Sequence, residues 1–145
     1  MIISPLFVPG DRPDRFAKAA VSGTDLVVLD LEDAVPPAHK AQARQAVAEA
    51  LAGGTRACVR LNGQDTDEYA RDRDVLRLPG LAAAMLPKAE SAQAIEALRA
   101  ACAPGTPLIP IIETARGLAA AREIARCPGV RQLAFGSVDF QLDLA

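Results

Sequence analysis

Aromatic residues are nearly missing from this chain of 145 residues, which has no Trp, one Tyr and four Phe. Ala is abundant, so the core must be built from aliphatic side chains packed around thin, Ala-rich helices. Basic residues form no tract and do not interleave with aromatics, and the formal charge is −2. That excludes the usual electrostatic footprint of nucleic-acid binding. No apolar run approaches the roughly 18 residues needed to cross a bilayer. The opening stretch MIISPLFVPGDRPDR lacks the basic and apolar regions of a secretory signal. Cys58, Cys102 and Cys127 are odd in number and lack metal-site spacing. They read as reduced, mostly buried thiols and point to a cytoplasmic protein. His39 is the single histidine, falls in a helical stretch and reads as a surface residue. No Ser-His-Asp or Cys-His arrangement is visible. No G-x-G-x-x-G follows the first strand and no Walker-type loop is present, which removes the common nucleotide-binding motifs.

What is present is a repeated alternation of short apolar runs and helical stretches. Half of the residues are apolar, enough for one domain, residues 1–145, with a sizeable core. Strands are expected at Ile2–Val8, Asp25–Leu31, Ala57–Leu61, Ala82–Leu86, Leu108–Ile112 and Gln132–Phe135. Each is short, apolar and often β-branched, as strands buried on both faces are. Helices are expected at Pro13–Ser22, Pro37–Ala52, Ser91–Ala103 and Ala115–Arg126, with Asp65–Leu76 a short helix or a loop. Ser91 sits as an N-cap, and Gly53-Gly54 and Pro128-Gly129 follow helix ends. Successive β units joined by helical crossovers predict a parallel sheet, either a closed (β/α)8 barrel or an open doubly wound sheet.

Polar residues collect at the carboxyl end of each expected strand, in FVPGDR, DLED, VRLN, LPK, IIET and FGSVD. In a barrel these ends share the face that carries catalysis. Glu113 and Asp139 follow neighbouring strands, and two hard oxygen ligands suit Mg²⁺. Alternatively, Glu113 or Thr114 caps the following helix, where an acid is favoured anyway. Arg60, at the end of a buried strand, requires a partner. It can grip a carboxylate ligand through two hydrogen bonds or pair with Asp30 or Glu32, and the two readings are compatible. Asp30, Glu32 and Asp33 crowd the end of the second strand, which implies a nearby cation. Strand alternation places Asp30 and Glu32 on one side and Asp33 on the other. Some of these acids are therefore expected to hold metal-bound water or Arg60 rather than the metal. Gly10 turns the chain so that Arg12 lies near a helix N-terminus, a place for an anionic group. Lys88 is too generic to assign.

The segments LFVPGDRPDRFAKA, LDLEDAV, VRLNG, MLPKAES, IPIIETARG and LAFGSVDF occur in this order. Together they resemble the citrate lyase β-subunit-like family, which includes malyl-CoA lyases, in the HpcH/HpaI aldolase superfamily. The resemblance implies a (β/α)8 TIM barrel of which this chain supplies about six β units. The final two units and the C-terminal region of the family are absent. It implies a Mg²⁺-dependent lyase that cleaves or forms a citryl- or malyl-type acyl thioester. The products of cleavage are a 2-oxo acid, such as oxaloacetate or glyoxylate, and an acetyl thioester. By motif, Glu113 and Asp139 would be the metal ligands. Arg60 would clamp the oxo-acid carboxylate, with Glu32 and Asp33 as partners of metal-bound water. Phe7, Arg12 and Lys18 would contact substrate, whose thioester is borne by CoA or an acyl carrier. A homo-oligomer, trimer or hexamer, is expected, in which a neighbouring subunit brings the acid/base group. Residue 3 is Ile where the family often has Arg. An aldolase acting on free pyruvate or oxaloacetate, and a non-catalytic relative keeping the metal and oxo-acid pocket, are the alternatives.

Overall fold

The apolar runs become six parallel strands: β1 Pro5–Pro9, β2 Leu26–Asp30, β3 Ala57–Arg60, β4 Leu81–Leu86, β5 Leu108–Ile112 and β6 Ala134–Phe135. They lie side by side in sequence order in a computed structural model that describes residues 2–145. Helices α1 Phe16–Ala20, α2 Lys40–Ala52, α3 Asp67–Asp72, α4 Ala92–Ala101, α5 Ala115–Arg126 and α6 Ser137–Asp143 connect or follow them. A strict β-then-α order in one parallel sheet is barrel connectivity. The six strands form a curled, incomplete TIM barrel rather than a doubly wound sheet, whose strand order would reverse.

Two apolar clusters line the two faces of the sheet. On the helix side, Leu29, Val59, Ala84, Leu86 and Leu108 pack with Val47 and Leu51 of α2, Ile95 and Leu98 of α4 and Ile124 of α5. Leu51 and Leu98 have no exposed surface; full burial of such a side chain contributes about 1.5–3 kcal/mol. On the concave side, Val28, Cys58, Ala83, Met85, Ile109 and Ile111 form the second cluster. Two residues further along their strands, the same face is occupied by Asp30, Arg60 and, just past β5, Glu113. The apolar bore thus ends in charge.

Helix starts follow local chemistry. Thr66, Ser91 and Thr114 each accept a hydrogen bond from the backbone N–H three residues on, at 3.3, 3.2 and 3.0 Å. The stretches that open with proline, Pro13–Arg15 and Pro37–His39, begin as 3₁₀ turns before α1 and α2. Asp65–Leu76 resolves into α3 and a 3₁₀ turn over Arg73–Arg77. β1 starts later than its composition suggests because the Ile3 and Ser4 amides donate to Asp25 Oδ2, each at 2.9 Å, instead of to the ladder. β6 is only two residues long; just before it the Gln132 side-chain amide accepts the Ile2 N–H at 3.0 Å and donates to the Ile2 carbonyl at 3.3 Å. That link joins the two margins of the curled sheet at their amino ends. β1 and β6 do not pair, and each keeps one free edge.

Candidate functional site

The carboxylates and Arg60 meet where β2, β3 and β5 end. Asp30 is fully buried and pairs bidentately with Arg60, Nε to Oδ1 at 2.7 Å and Nη2 to Oδ2 at 2.6 Å. Asp30 also accepts the Glu32 amide at 2.9 Å and the Ala34 amide at 3.2 Å, which folds the DLED segment into a turn. Arg60 Nη1 lies 2.9 Å from Glu32 Oε2 and 3.3 Å from Asp33 Oδ2. The Phe7 ring lies against the guanidinium, 5.2 Å from its carbon to the ring centroid. Burial acts against the Arg60 charge, but Asp30, Glu32 and Asp33 outweigh it and hold the group above its ordinary pKa. Sequence reasoning placed Asp33 opposite Asp30 and Glu32. The structure overturns that, because the ladder stops at Asp30 and the turn brings Asp33 back onto the same guanidinium.

Glu32 remains short of partners. It is almost wholly buried, and its Oε2 accepts no hydrogen bond. Arg60 Nη1 is near enough to attract that oxygen, but the angle directs no proton at it. Burial pushes the Glu32 carboxyl up to about 8, Asp33 and Glu113 add repulsion, and Arg60 and Lys88 oppose the rise. Glu32 and Asp33 line a cavity of about 390 Å³ together with Lys40, Asn62, Asp65 and Lys88.

Glu113 is also buried and does not cap α5; Thr114 does. Its Oε1 accepts the Lys88 backbone N–H at 2.8 Å. Lys88 adopts a left-handed conformation, φ 46°, that aims this N–H at the carboxylate. Burial raises the Glu113 pKa, the Lys88 amide opposes the rise, and repulsion from Asp139 adds to it. The Gly136 N–H donates to the Ile112 carbonyl at 3.0 Å, which sets the start of α6 beside Glu113. Asp139 reaches this place from the first turn of α6, a helix that sequence reasoning missed and read only as a polar strand end.

The other predicted residues divide. Phe7 and Lys18 come together, with Leu6 and Arg15, along an open cleft of about 460 Å³ beside β1. Arg12 does not line that cleft, and its guanidinium is held by Asp14 at 3.0 and 2.9 Å. His39 lies in a 3₁₀ turn with Nδ1 2.9 Å from Asp11 Oδ2. Cys58 and Cys102 are buried free thiols and Cys127 is half-buried. Burial pushes Cys102 up to about 11 and Cys58 higher still, so neither is a poised nucleophile.

Hard oxygens from two neighbouring units, one buried acceptor without a donor and two carboxylates pushed toward protonation are what a divalent cation would relieve. Among the described residues no three His, Cys, Asp or Glu side chains converge as a complete ligand set. The donors present suit an ion such as Mg²⁺, which keeps water and substrate oxygens in its remaining positions.

Barrel connectivity, with charge gathered at the carboxyl ends of the strands, defines the class, and comparison with known proteins agrees. Residues 4–145 match the HpcH/HpaI aldolase/citrate lyase family model, and the chain belongs to that family. The citrate lyase subunit beta-like protein of Mycobacterium tuberculosis is 42% identical over 134 residues, covering 92% of this chain and 47% of that protein. The L-malyl-CoA/beta-methylmalyl-CoA lyase of Cereibacter sphaeroides is 42% identical over 152 residues, covering 93% of this chain and 48% of that protein. The citrate lyase beta subunit from M. tuberculosis, solved with oxaloacetate and magnesium, aligns with a TM-score of 0.83 at 42% identity. That alignment covers 97% of this chain and 60% of the solved one. The chain spans about half the length of the curated relatives it matches.

Proposed function

We propose that this chain supplies the metal- and oxo-acid-binding part of a Mg²⁺-dependent carbon–carbon lyase. Its substrate would be a citryl- or malyl-type acyl thioester, cleaved to, or formed from, a 2-oxo acid and an acetyl thioester. The observation that carries this reading is the buried Glu113 carboxylate, held by the Lys88 N–H at the same end of the bore as the unpartnered Glu32 oxygen, with Asp139 on the first turn of α6 from the next unit. Bound there, Mg²⁺ supplies a Lewis acid that polarises the keto or hydroxyl oxygen of the substrate.

The residues then divide the work. Glu113 and Asp139 would hold the ion, and Glu32 and Asp33 would hydrogen-bond water bound to it. Arg60 is oriented by Asp30 and faces the oxo-acid carboxylate. Its hydrogen bonds to Asp30 and Asp33 leave one Nη1 N–H and one Nη2 N–H uncommitted. Phe7 shields that guanidinium from water. The cleft beside β1, with Lys18 and Arg15, receives the anionic arm of CoA or an acyl carrier. That cleft favours a thioester over a free oxo acid as substrate. The acid/base group comes from a neighbouring subunit of a trimer or hexamer. The reduced thiols suit a cytoplasmic setting, and among the described residues no helix is long and apolar enough to cross a membrane.

A crystal soaked with Mg²⁺ and oxaloacetate tests the assignment. It should show density for the ion between Glu113 and Asp139, with the acid reaching toward Arg60. An ion seated elsewhere, with those two side chains unengaged, would overturn it.

A further inference from the structure

Gly136 has no conformational reason to be glycine. Its φ of −95° and ψ of 90° are open to any residue. Gly23, Gly54, Gly105 and Gly129, by contrast, sit at positive φ. The constraint at residue 136 is space. A Cβ built there would overlap Glu113 Oε2 and lie 2.8 Å from Glu113 Cβ and 3.3 Å from its Cδ. The Glu113 carboxylate therefore occupies the volume that any other residue at 136 would fill.

The peptide of Gly136 is also fixed from both sides. Its N–H donates to the Ile112 carbonyl at 3.0 Å, one residue before Glu113. Its carbonyl accepts the Phe140 N–H at 3.1 Å and so starts α6, whose first turn carries Asp139. The opposite side of the carboxylate is pinned by the Lys88 N–H. Glu113 is thus gripped between a donor on the β4 side and a bare Cα on the β6 side.

We propose that Gly136 is a positioning residue of the Glu113–Asp139 site: its missing side chain leaves room for the Glu113 carboxylate, and its peptide sets how closely α6 brings Asp139 to it. This rests on the Mg²⁺ reading above for its functional meaning, but its steric part does not. A methyl group at 136 must either rotate the carboxylate off the Lys88 N–H or push β6 and α6 away. Either movement separates the two ligands.

The test uses Gly136→Ala, Glu113→Gly and the double variant in this chain, since Glu113→Gly removes the Cβ as well as the carboxylate. Calorimetric titration with Mg²⁺ should show Gly136→Ala weakened by about 10- to 100-fold, the range for residues that orient a ligand. Thermal melts in EDTA should show a lower Tm for Gly136→Ala in the native background and almost no further loss when Glu113 is already Gly, because the carboxylate and the Cβ that obstruct residue 136 are both gone. If Gly136→Ala does not fold, recovery of folding in the double variant supports the proposal and its failure overturns it. Native Mg²⁺ affinity in Gly136→Ala, or an equal Tm loss in both backgrounds, would also overturn it. A native chain that binds no Mg²⁺ would overturn the metal reading instead, and the melts would still decide the steric claim.

Discussion

At the scale of single residues, Arg60 and Glu32 show opposite solutions to burying charge. Arg60 is matched by Asp30, and the pair must be kept whole: removing one partner of a buried pair leaves an uncompensated ion, at about 3–5 kcal/mol. Arg60→Ala should therefore lower the urea midpoint and weaken oxaloacetate binding while leaving Mg²⁺ affinity nearly intact. A large loss of Mg²⁺ affinity would contradict the division of roles between Arg60 and Glu113. Glu32 is under-matched, and its carboxyl is harder to ionise folded than unfolded. Such a group favours the fold while protonated. Its contribution is full below the ordinary glutamate value of 4.5 and is lost as pH rises through about 8. In EDTA, the Tm should decline across that window, and Glu32→Gln should flatten the decline. A Tm profile unchanged by Glu32→Gln would show that another group governs it.

At the scale of elements, the strand-then-helix rhythm was legible because period and punctuation agree. β5 and α5 lie where the residues predict them, and Ser91 caps α4 as expected. The strand margins were less legible, since they depend on distant partners: Asp25 captures the start of β1, and Gln132 is tied to Ile2 before β6. Helix α6 escaped notice because SVDFQLD opens directly from a two-residue strand without a side-chain cap. The candidate site was legible where chemistry is concentrated, at Arg60, Glu113 and the DLED turn. The Lys88 contribution was hidden because it is made by a backbone N–H, which no side-chain pattern records. Thr114 joins two elements, accepting the Gly117 N–H at 3.0 Å and donating to Glu90 at 2.9 Å. Thr114→Ala should lower stability by about 1 kcal/mol, read from urea unfolding. No change would mean that water replaces the cap.

At the scale of the whole molecule, most of the exposed large apolar side chains, Val21 and Leu118 apart, gather along the free margins of the sheet. Ile3, Leu6 and Phe7 lie at the β1 margin, and Phe135, Val138, Leu142 and Leu144 on β6, α6 and the chain end. Free parallel edges flanked by apolar surface promote association. Sedimentation velocity should show concentration-dependent self-association of this chain, reduced by Val138→Lys with Leu142→Lys; a monomer at all concentrations would contradict that expectation. The most direct test of the central claim, one divalent ion seated by Glu113 and Asp139 and shared with an oxo acid, is calorimetric titration of oxaloacetate with and without Mg²⁺. The account predicts binding with Mg²⁺, none in EDTA and none to Glu113→Gln under either condition. Equal oxaloacetate affinity in EDTA, or undiminished affinity in Glu113→Gln, would contradict it.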